Sequence, residues 1–429
     1  MARTTPQINL NLNVRGMQAS ATVAINERSN SLIAQGREVL KLGLGQSPFP
    51  VPEPVVEALR RNAHEKDYLP VKGLAALRDA VADYHSRSNG LVRTGEDVLI
   101  GPGSKELMFL LQLVFYGDLV IPTPAWVSYA PQARIIGRQV RLVSTRQEDD
   151  WRLSPEQLAA LCEEDPGRPR ILILNYPSNP TGATFRVDEL RALARVAAQH
   201  RVVMLSDEIY GEVHHKGQHV SIARFYPEGT IISAGLSKWC GAGGWRLGTF
   251  LFPPTMRWLL DAMAAAASET FTSTSAPIQH AAVTAFRGGE EIEEYLQRSR
   301  RVLGALGRWC HRRLTEGGLR CCKPSGGFYL FPDFSTRASA LAARGIDDSV
   351  GLCERLLEDT GVAILPGSCF GRDVRELTAR LAYVDFDGEA ALHAVAALGK
   401  DAPLDDAFLR RHCAKVTKAI DRMVEWASD

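Results

Sequence analysis

Short apolar segments alternate with longer amphipathic segments through the middle of the chain. Seven short segments are three or four residues long and are bounded by turn-forming residues: Val98–Ile100, Leu119–Ile121, Val140–Val143, Ile171–Leu174, Val202–Leu205, Ile231–Ser233 and Thr249–Phe252. The segments between them, which include predicted helices at 104–115 and 188–200, are long enough to cross back over a sheet. The pattern therefore predicts an α/β fold whose seven-stranded sheet is mainly parallel.

The N-terminal part of the chain has a different pattern. Residues 8–14 alternate strictly between apolar and polar side chains, which indicates either an extended arm or an unstructured terminus. Residues 18–41 have a helical pattern, whereas residues 43–54 are rich in glycine and proline and predict a loop.

The pattern changes again after about residue 300. A basic helix is predicted at 298–314, and the last helix is predicted to carry an apolar stripe made of Phe408, Val416, Ile420 and Val424. We expect three parts: an N-terminal arm and segment at 1–54 that packs with the small domain, a large ligand-binding domain at 55–305, and a smaller α+β domain at 306–429.

Composition narrows the class of protein without identifying it. The 429 residues include 50 Lys+Arg and 49 Asp+Glu, a net charge of +1, which gives no reason to expect nucleic acid or an anionic membrane as a partner. No apolar run is long enough to span a bilayer, and the first residues lack the apolar core of a signal peptide. Eight cysteines occur without a C-x-x-C pair or zinc-ligand spacing, so we expect reduced thiols in a cytoplasmic protein.

Residues with chemical functions follow five of the predicted strands. In a parallel sheet the carboxyl ends of the strands meet at one edge, where ligands bind. These positions supply a glycine-rich helix start, an aromatic ring, an amide, a carboxylate with a phenol, and a lysine with an arginine: Gly103, Ser104, Lys105, Trp126, Asn179, Asp207, Tyr210, Lys238 and Arg246.

Pyridoxal 5'-phosphate is one ligand that uses all of these groups. A lysine amine forms a Schiff base with it, and a carboxylate beside its ring nitrogen favours the protonated ring. An aromatic face can stack on the ring, while an arginine and free N–H groups at a helix start can bind the phosphate. We predict no metal site, because the pair His214-His215 has no third ligand nearby.

Several motifs, in order along the chain, resemble those of the class I/II aminotransferases of the fold-type I pyridoxal-phosphate superfamily. They are Tyr68-Leu-Pro-Val-Lys-Gly-Leu74, Asn179-Pro-Thr-Gly182, Asp207-Glu-Ile-Tyr210, Ser237-Lys238 with Arg246, and Arg380-Leu-Ala-Tyr383. The resemblance covers nearly the whole chain and is greatest to the bacterial aspartate aminotransferase subgroup. It implies a homodimer with shared active sites that exchanges an amino group between an L-amino acid and a 2-oxo acid in ping-pong fashion.

The resemblance also implies a role for each matching residue. Lys238, Asp207 and Tyr210 would be catalytic: Lys238 would carry the cofactor and move a proton, and Asp207 would pair with the ring nitrogen. The other implied cofactor ligands are Asn179 and Tyr210 on the phenolic oxygen, Trp126 on the ring, and Gly103, Ser104, Lys105, Ser237 and Arg246 at the phosphate, with Tyr68 from a second subunit. The implied substrate ligands are Arg380, Gly45, Asn179 and Lys105.

Two positions depart from the family pattern, and the substrate stays open. Gly235 replaces a serine that many members use at the phosphate, and the loop Gly45-Gln-Ser-Pro48-Phe49 is one residue longer than usual before its proline. Lys105 favours an acidic substrate, although it could equally be a helix-start lysine. Residues 262–277 contain no arginine or lysine for a second carboxylate, so an aromatic substrate is also possible.

Two other functions remain as alternatives. The same fold carries enzymes with different chemistry on the same cofactor, such as β-lyases, cyclopropane-forming synthases, and decarboxylating or oxidising variants. It also occurs as a non-catalytic effector-binding module in regulators fused to a winged-helix domain. Only about 40 residues precede the substrate loop, which we expect to be too few for that DNA-binding domain. Cys240 lies two residues after Lys238, close to the expected cofactor, but no chemical role is assigned to it.

Overall fold

The computed structural model describes residues 9–17, 21–400 and 402–428. Within these ranges the α-helices are α1 (Ala21–Ala34), α2 (Glu53–Arg61), α3 (Ala75–Asn89), α4 (Ser104–Val114), α5 (Tyr129–Ile135), α6 (Pro155–Glu163), α7 (Val187–Gln199), α8 (Arg257–Ser268), α9 (Ala276–Arg287), α10 (Glu290–Glu316), α11 (Ala338–Ala343), α12 (Ser349–Thr360), α13 (Gly388–Ala396), α14 (Asp406–His412) and α15 (Ala414–Ser428). The strands are β1 (Leu40–Lys41), β2 (Val98–Gly101), β3 (Asp118–Thr123), β4 (Val140–Ser144), β5 (Arg170–Asn175), β6 (Val203–Asp207), β7 (Thr230–Gly235), β8 (Gly248–Leu251), β9 (Tyr329–Leu330), β10 (Val362–Ala363), β11 (Leu365–Pro366) and β12 (Ala379–Ala382).

The seven predicted strands form a single sheet in the order β2-β8-β7-β6-β5-β3-β4. Five neighbouring strands, β7-β6-β5-β3-β4, pair in parallel, whereas β8 runs antiparallel to both β7 and β2. The α/β fold with a mainly parallel seven-stranded sheet is therefore confirmed. The register places Asn175 beside Asp207, and Asp207 beside Ser233, so the residues that end β5, β6 and β7 share one edge.

Helices cover both faces of this sheet, which explains the uninterrupted apolar character of its central strands. On β5, Ile171 and Ile173 pack with residues of α4 and α8 on one face. The alternating residues Leu172 and Leu174 pack with residues of α6 and α7 on the other face. Each such buried side chain contributes about 1.5–3 kcal/mol of hydrophobic free energy.

A smaller set of strands lies in the C-terminal part of the chain. Strands β11, β12 and β9 form an antiparallel sheet, and β1 pairs in parallel with β10. The helix α10 is 27 residues long and runs through residue 305, where the domain boundary was expected. The division into residues 1–54, 55–305 and 306–429 therefore stays a prediction.

Local structure differs from expectation in the N-terminal part. Residues 11–16 form a turn, in which Val14 N and Arg15 N donate to Asn11 O, each at 3.1 Å. The expected extended arm is therefore wrong over 11–14, because the chain closes local hydrogen bonds there; residue 8 lies outside the described residues. The helix expected at 18–41 occupies only α1, since Gly36 leaves the helical conformation with φ +81°, and residues 18–20 lie outside the described residues.

Two further boundaries were placed wrongly. The expected loop at 43–54 ends earlier, because α2 begins at Glu53, with Pro54 in its first turn, where a missing N–H costs no helical hydrogen bond. The expected last helix is divided into α14 and α15 at Cys413. The break lets Asp406 of α14 accept a hydrogen bond from Trp309 Nε1 at 3.0 Å, while α15 buries Val416 and Ile420.

The ranges given above contain no helix that is both long and apolar enough to cross a membrane.

The approach of β8 to the start of α4 predicts a sharp effect of one substitution. A Cβ atom added at Gly248 would collide with the backbone of Gly103 and Ser104, whereas one added at Gly244 would meet nothing within 4 Å. Gly248→Ala should therefore lower the free energy of unfolding by about 1–3 kcal/mol, because backbone atoms cannot move aside cheaply. Gly244→Ala should change it much less. Urea unfolding measures both variants, and equal losses would contradict the close approach.

Candidate active site

A cavity of about 600 Å³ opens at the carboxyl edge of the large sheet. Its wall contains eleven residues that the sequence predicted for the site: Gly45, Ser104, Lys105, Trp126, Asn179, Asp207, Tyr210, Ser237, Lys238, Arg246 and Arg380. The predicted cluster therefore forms one continuous surface, although its members come from positions more than 300 residues apart along the chain. Two predicted residues, Gly103 and Tyr68, do not line the cavity.

The Lys238 amine follows β7 and reaches into the cavity. Its Nζ donates a hydrogen bond to Gly45 O at 2.7 Å. Burial, with the positive charge of Arg380 as the next cause, lowers the pKa of Lys238 to about 8 from its ordinary 10.5. The amine can thus lose its proton near physiological pH, as a nucleophile or a base must.

The Asp207 carboxylate lies at the base of the cavity at the end of β6, and it is 3% exposed. Its Oδ2 accepts a hydrogen bond from Tyr129 Oη at 2.5 Å. Its Oδ1 is buried without a hydrogen-bond partner among the described residues. Burial is the main cause that raises the pKa of Asp207 to about 6, and the Tyr129 hydroxyl opposes this shift. A buried acceptor without a donor predicts a ligand that supplies one.

The start of α4 and Arg246 form an anion-binding corner. No side chain caps this helix, so its first N–H groups remain available to a ligand. Gly103 has φ +94°, a conformation that residues with a Cβ rarely adopt, and its missing side chain leaves room for the Arg246 guanidinium. Arg246 itself has φ +56° and donates to Gly243 O at 2.8 Å and Pro102 O at 3.2 Å.

Two phenols and an amide line the opposite side of the cavity. Tyr210 Oη and Tyr329 Oη are 2.8 Å apart, and burial raises the pKa of both hydroxyls, so each keeps its proton at neutral pH. Asn179 N donates to Asn175 Oδ1 at 2.7 Å, and the Asn175 amide donates to Asp207 O at 2.9 Å. These bonds fix Asn179 relative to the carboxylate.

Arg380 is a buried cation on β12, and its side chain is 1% exposed. It donates to Asn179 Oδ1 at 3.3 Å and to Gly43 O, and its guanidinium carbon lies 4.9 Å from the centre of the Tyr329 ring. It forms no ion pair with an acidic side chain in the described ranges, and its Nε has no hydrogen-bond partner there. Because an unpaired buried charge is costly, the geometry points to an anionic ligand.

Lys105 and Trp126 lie together on another wall. Lys105 Nζ is 5.3 Å from the centre of the indole ring. Burial and the nearby Arg246 lower the pKa of Lys105. The Trp126 ring contacts Tyr129 edge-on, with centroids 5.2 Å apart.

One of the two departures from the expected pattern has a structural reason. A Cβ at Gly235 would lie 2.7 Å from Leu247 O, so the pairing of β7 with β8 leaves no room for a serine. In the longer loop, a Cβ at Gly45 would collide with the Tyr329 hydroxyl, which explains the glycine but not the extra residue before Pro48. Neither departure removes a residue from the cavity.

The remaining residues singled out from the sequence lie elsewhere. The Tyr68 side chain is 91% exposed. His214 accepts hydrogen bonds from the backbone of Lys216 and Gln218, and His215 contacts Gly327 O. In the part of the chain that the structure describes, no group of three side chains could hold a metal ion. Cys240 is buried in the main core.

Among the cavity residues that the sequence did not predict, three have side chains that hydrogen-bond to predicted site residues: Tyr129, Asn175 and Tyr329. Asn175 directly ends a predicted strand, so its position was a usable signal. Tyr129 begins α5 three residues after Trp126, and the two rings contact edge-on, although Trp126 itself precedes the helix. Tyr329 comes from β9, and nothing in its local sequence indicates that it meets Tyr210.

The residues of the cavity fit pyridoxal phosphate. The unpartnered Asp207 Oδ1 can accept a hydrogen bond from a protonated ring nitrogen, and the corner at Gly103 and Arg246 can take a phosphate. Trp126 can cover the ring, and Tyr210 and Asn179 can bond its phenolic oxygen. Lys238, whose pKa is lowered to about 8, supplies an amine that can bond to the cofactor.

The raised pKa of Asp207 predicts a pH-dependent stability in the cofactor-free protein. At pH values between 3.8, the ordinary pKa of aspartate, and about 6, Asp207 is protonated in the folded chain and ionised in the unfolded chain. This stabilisation is complete below about pH 4 and is lost as the pH rises through about 6. Relative to wild type, Asp207→Asn should therefore gain up to about 3 kcal/mol in free energy of unfolding between pH 4 and pH 7. Urea unfolding at both pH values tests this, and a constant difference would contradict it.

Comparisons with known proteins agree with this geometry. The family described as "Aminotransferase class I and II" matches residues 37–398. Aspartate aminotransferase of Geobacillus stearothermophilus is 34% identical over 369 residues, which cover 83% of this chain and 91% of that protein. Aspartate/prephenate aminotransferase of Thermus thermophilus is 34% identical over 366 residues, which cover 84% of this chain and 91% of that protein.

The overall structure is similar to solved aminotransferases as well. Thermus thermophilus aspartate aminotransferase with maleate superposes with a TM-score of 0.83 at 31% identity, covering 98% of this chain and 100% of that one. The Rhizobium meliloti aspartate aminotransferase gives a TM-score of 0.83 at 25% identity, covering 98% and 99%. The chain belongs to the class I and II aminotransferases, the fold-type I enzymes that use pyridoxal 5'-phosphate.

Proposed function

We propose that this aminotransferase acts on acidic L-amino acids, with L-aspartate as donor and a 2-oxo acid as acceptor, in a ping-pong exchange. One observation carries the proposal: two basic side chains, Arg380 and Lys105, line the same cavity, and neither forms an ion pair in the described chain. Two such groups suit a substrate with two carboxylates. Relatives named for aspartate, and a similar structure that holds the dicarboxylate maleate, support this choice.

Arg380 binds the substrate α-carboxylate in this proposal. Its planar guanidinium can donate two parallel hydrogen bonds, and its unpartnered Nε supplies one donor. The hydrogen bond from Arg380 to Asn179 and the position of its guanidinium over the Tyr329 ring fix the orientation of the guanidinium. Binding of the substrate α-carboxylate therefore gives the buried charge of Arg380 an ion-pair partner.

Lys238 moves the proton. When bound, pyridoxal phosphate supplies an electron-accepting ring that makes the substrate Cα–H acidic. Lys238 Nζ, with its pKa lowered to about 8, takes this proton and returns it. Asp207 would pair with a protonated ring nitrogen of the cofactor, and the Tyr129 hydroxyl, which donates to Asp207 Oδ2, holds that carboxylate in place.

Substitution of Lys105 tests the choice of substrate. Lys105→Met keeps much of the side-chain volume and removes the charge, so kcat/KM for L-aspartate should fall about 10- to 100-fold. For L-alanine and L-phenylalanine, which lack a second carboxylate, it should change less than about threefold. Arg380→Leu should instead lower kcat/KM for all three donors, because each carries the α-carboxylate.

Steady-state assays with these donors and 2-oxoglutarate measure both effects. If Lys105→Met lowers kcat/KM equally for every donor, Lys105 contacts the cofactor instead of the substrate side chain. That result would contradict specificity for acidic amino acids. Ammonia release without a 2-oxo acid would instead indicate lyase chemistry on the same cofactor.

We also propose that the enzyme works as a cytoplasmic homodimer whose subunits share active sites. Tyr68 is exposed and lies outside its own cavity, which suits a side chain that completes the site of a second copy. All eight cysteines are free thiols, which suits a reducing compartment.

Mixing two inactive variants tests the shared site. Tyr68→Ala and Lys238→Ala should each lower activity at least about 10²-fold. A heterodimer of the two contains one site with Lys238 from one chain and Tyr68 from the other. Co-refolding of the variants should therefore restore roughly a quarter of wild-type activity, on the statistical estimate that half of the dimers are mixed and each has one intact site. No recovery, although mixed dimers form, would show that Tyr68 serves its own chain.

A further inference from the structure

Arg372 connects the C-terminal part of the chain to the large sheet through an unusually complete set of hydrogen bonds. Its side chain is 9% exposed. Nε and Nη2 donate to the two carboxylate oxygens of Glu376, each at 2.9 Å. Nη1 donates to Thr123 O at 3.2 Å, Ser144 Oγ at 2.9 Å and Thr145 O at 3.1 Å. These last three acceptors lie at the carboxyl ends of β3 and β4.

The surroundings of the guanidinium reinforce this attachment. Its central carbon lies 4.7 Å from the centre of the Trp151 ring, in the segment after β4. The Trp151 ring in turn contacts Phe331 edge-on, with centroids 5.6 Å apart. A cation that is paired with a carboxylate, covered by an aromatic face and bonded to two carbonyls holds a fixed orientation.

The turn that carries Arg372 also contacts the active-site wall. Gly371 has φ +83°, and a Cβ there would lie 2.8 Å from Thr123 Cγ2, so glycine allows the turn to approach β3. Ala125 N, immediately before Trp126, donates to Phe370 O at 2.9 Å. The Phe370 ring centre lies 5.1 Å from the guanidinium carbon of Arg380.

A short chain of contacts thus runs from Arg372 to both walls of the cavity. On one side it reaches the segment of Trp126 through Thr123 and Ala125. On the other side it reaches Arg380 through Phe370. Neither Arg372 nor Glu376 lines the cavity itself.

We infer that Arg372 is a positioning residue for substrate binding: it fixes the turn before β12 on the ends of β3 and β4, and so holds Arg380 at its working distance from Trp126. The inference rests on the proposed function, in which Arg380 binds the substrate carboxylate. Without this attachment, part of the substrate's binding energy is used to bring the two walls together. The loss then falls on KM and on the binding of substrate analogues, whereas kcat at saturation is largely kept.

The test compares Arg372→Gln with Arg375→Gln in the cofactor-loaded enzyme. Arg375 lies in the same turn, but its side chain is 82% exposed and pairs only with Asp373 among the described residues. Arg372→Gln should raise KM for L-aspartate and the dissociation constant of maleate about tenfold, with kcat changed less than about threefold and cofactor affinity unchanged. Arg375→Gln should leave all four quantities near wild type.

Hydrogen–deuterium exchange gives a readout that does not depend on turnover. In Arg372→Gln, exchange should rise together in segments 120–128 and 365–383 and stay unchanged in the central strands β5 and β6. If exchange rises in neither segment, or KM and maleate binding match those of Arg375→Gln, the inference is wrong. A uniform loss of kcat, cofactor affinity and thermal stability would also overturn it, because it would show only a structural role. An enzyme that accepts no amino donor would refute the proposed function, while the exchange result would still decide on the attachment.

Discussion

The active site brings more positive than negative charge into one cavity, with Arg380 and Asp207 buried and Lys105 and Arg246 at its open side. Among the described residues, four basic side chains line the cavity, Lys105, Lys238, Arg246 and Arg380, and one acidic side chain, that of Asp207. Burial lowers the pKa of three of these basic groups and raises the pKa of Asp207, so the protein alone does not satisfy this arrangement. Ligands that bring a phosphate and carboxylates provide the missing compensation, which links the stability of the site to its occupancy.

The fold makes this concentration of charge possible. Parallel strands covered on both faces bring the ends of β5, β6 and β7 to one edge, so Asn175, Asp207 and Lys238 meet without any local motif joining them. Glycines at 103 and 248 let Arg246 and β8 reach the start of α4. The antiparallel strand β12 brings Arg380 from the C-terminal part to the opposite wall. The site is therefore shared between the two ends of the chain.

The features that could be predicted from the sequence are those that depend on hydrophobic periodicity and on the residues at strand ends. All seven strands of the large sheet were predicted, because apolar runs bounded by turns mark strands, and eight of the eleven predicted cavity residues follow such strands. The other three, Gly45, Ser237 and Arg380, were expected only from the family resemblance. Hydrogen bonds between distant segments of the chain could not be predicted. The bonds of Tyr129 to Asp207, of Tyr329 to Tyr210 and of Arg372 to the ends of β3 and β4 leave no local pattern. The division of the last helix at Cys413 likewise depends on packing against α10 rather than on helical periodicity.

The half-reaction of the cofactor-loaded enzyme with L-aspartate alone tests the central claim most directly. If the cavity is an acidic amino acid aminotransferase site, aspartate should change the visible spectrum of the cofactor and yield one equivalent of oxaloacetate per site, with no free ammonia. Addition of 2-oxoglutarate should then restore the spectrum and release one equivalent of glutamate. Continued release of ammonia without an acceptor, or no spectral change at any aspartate concentration, would contradict the account.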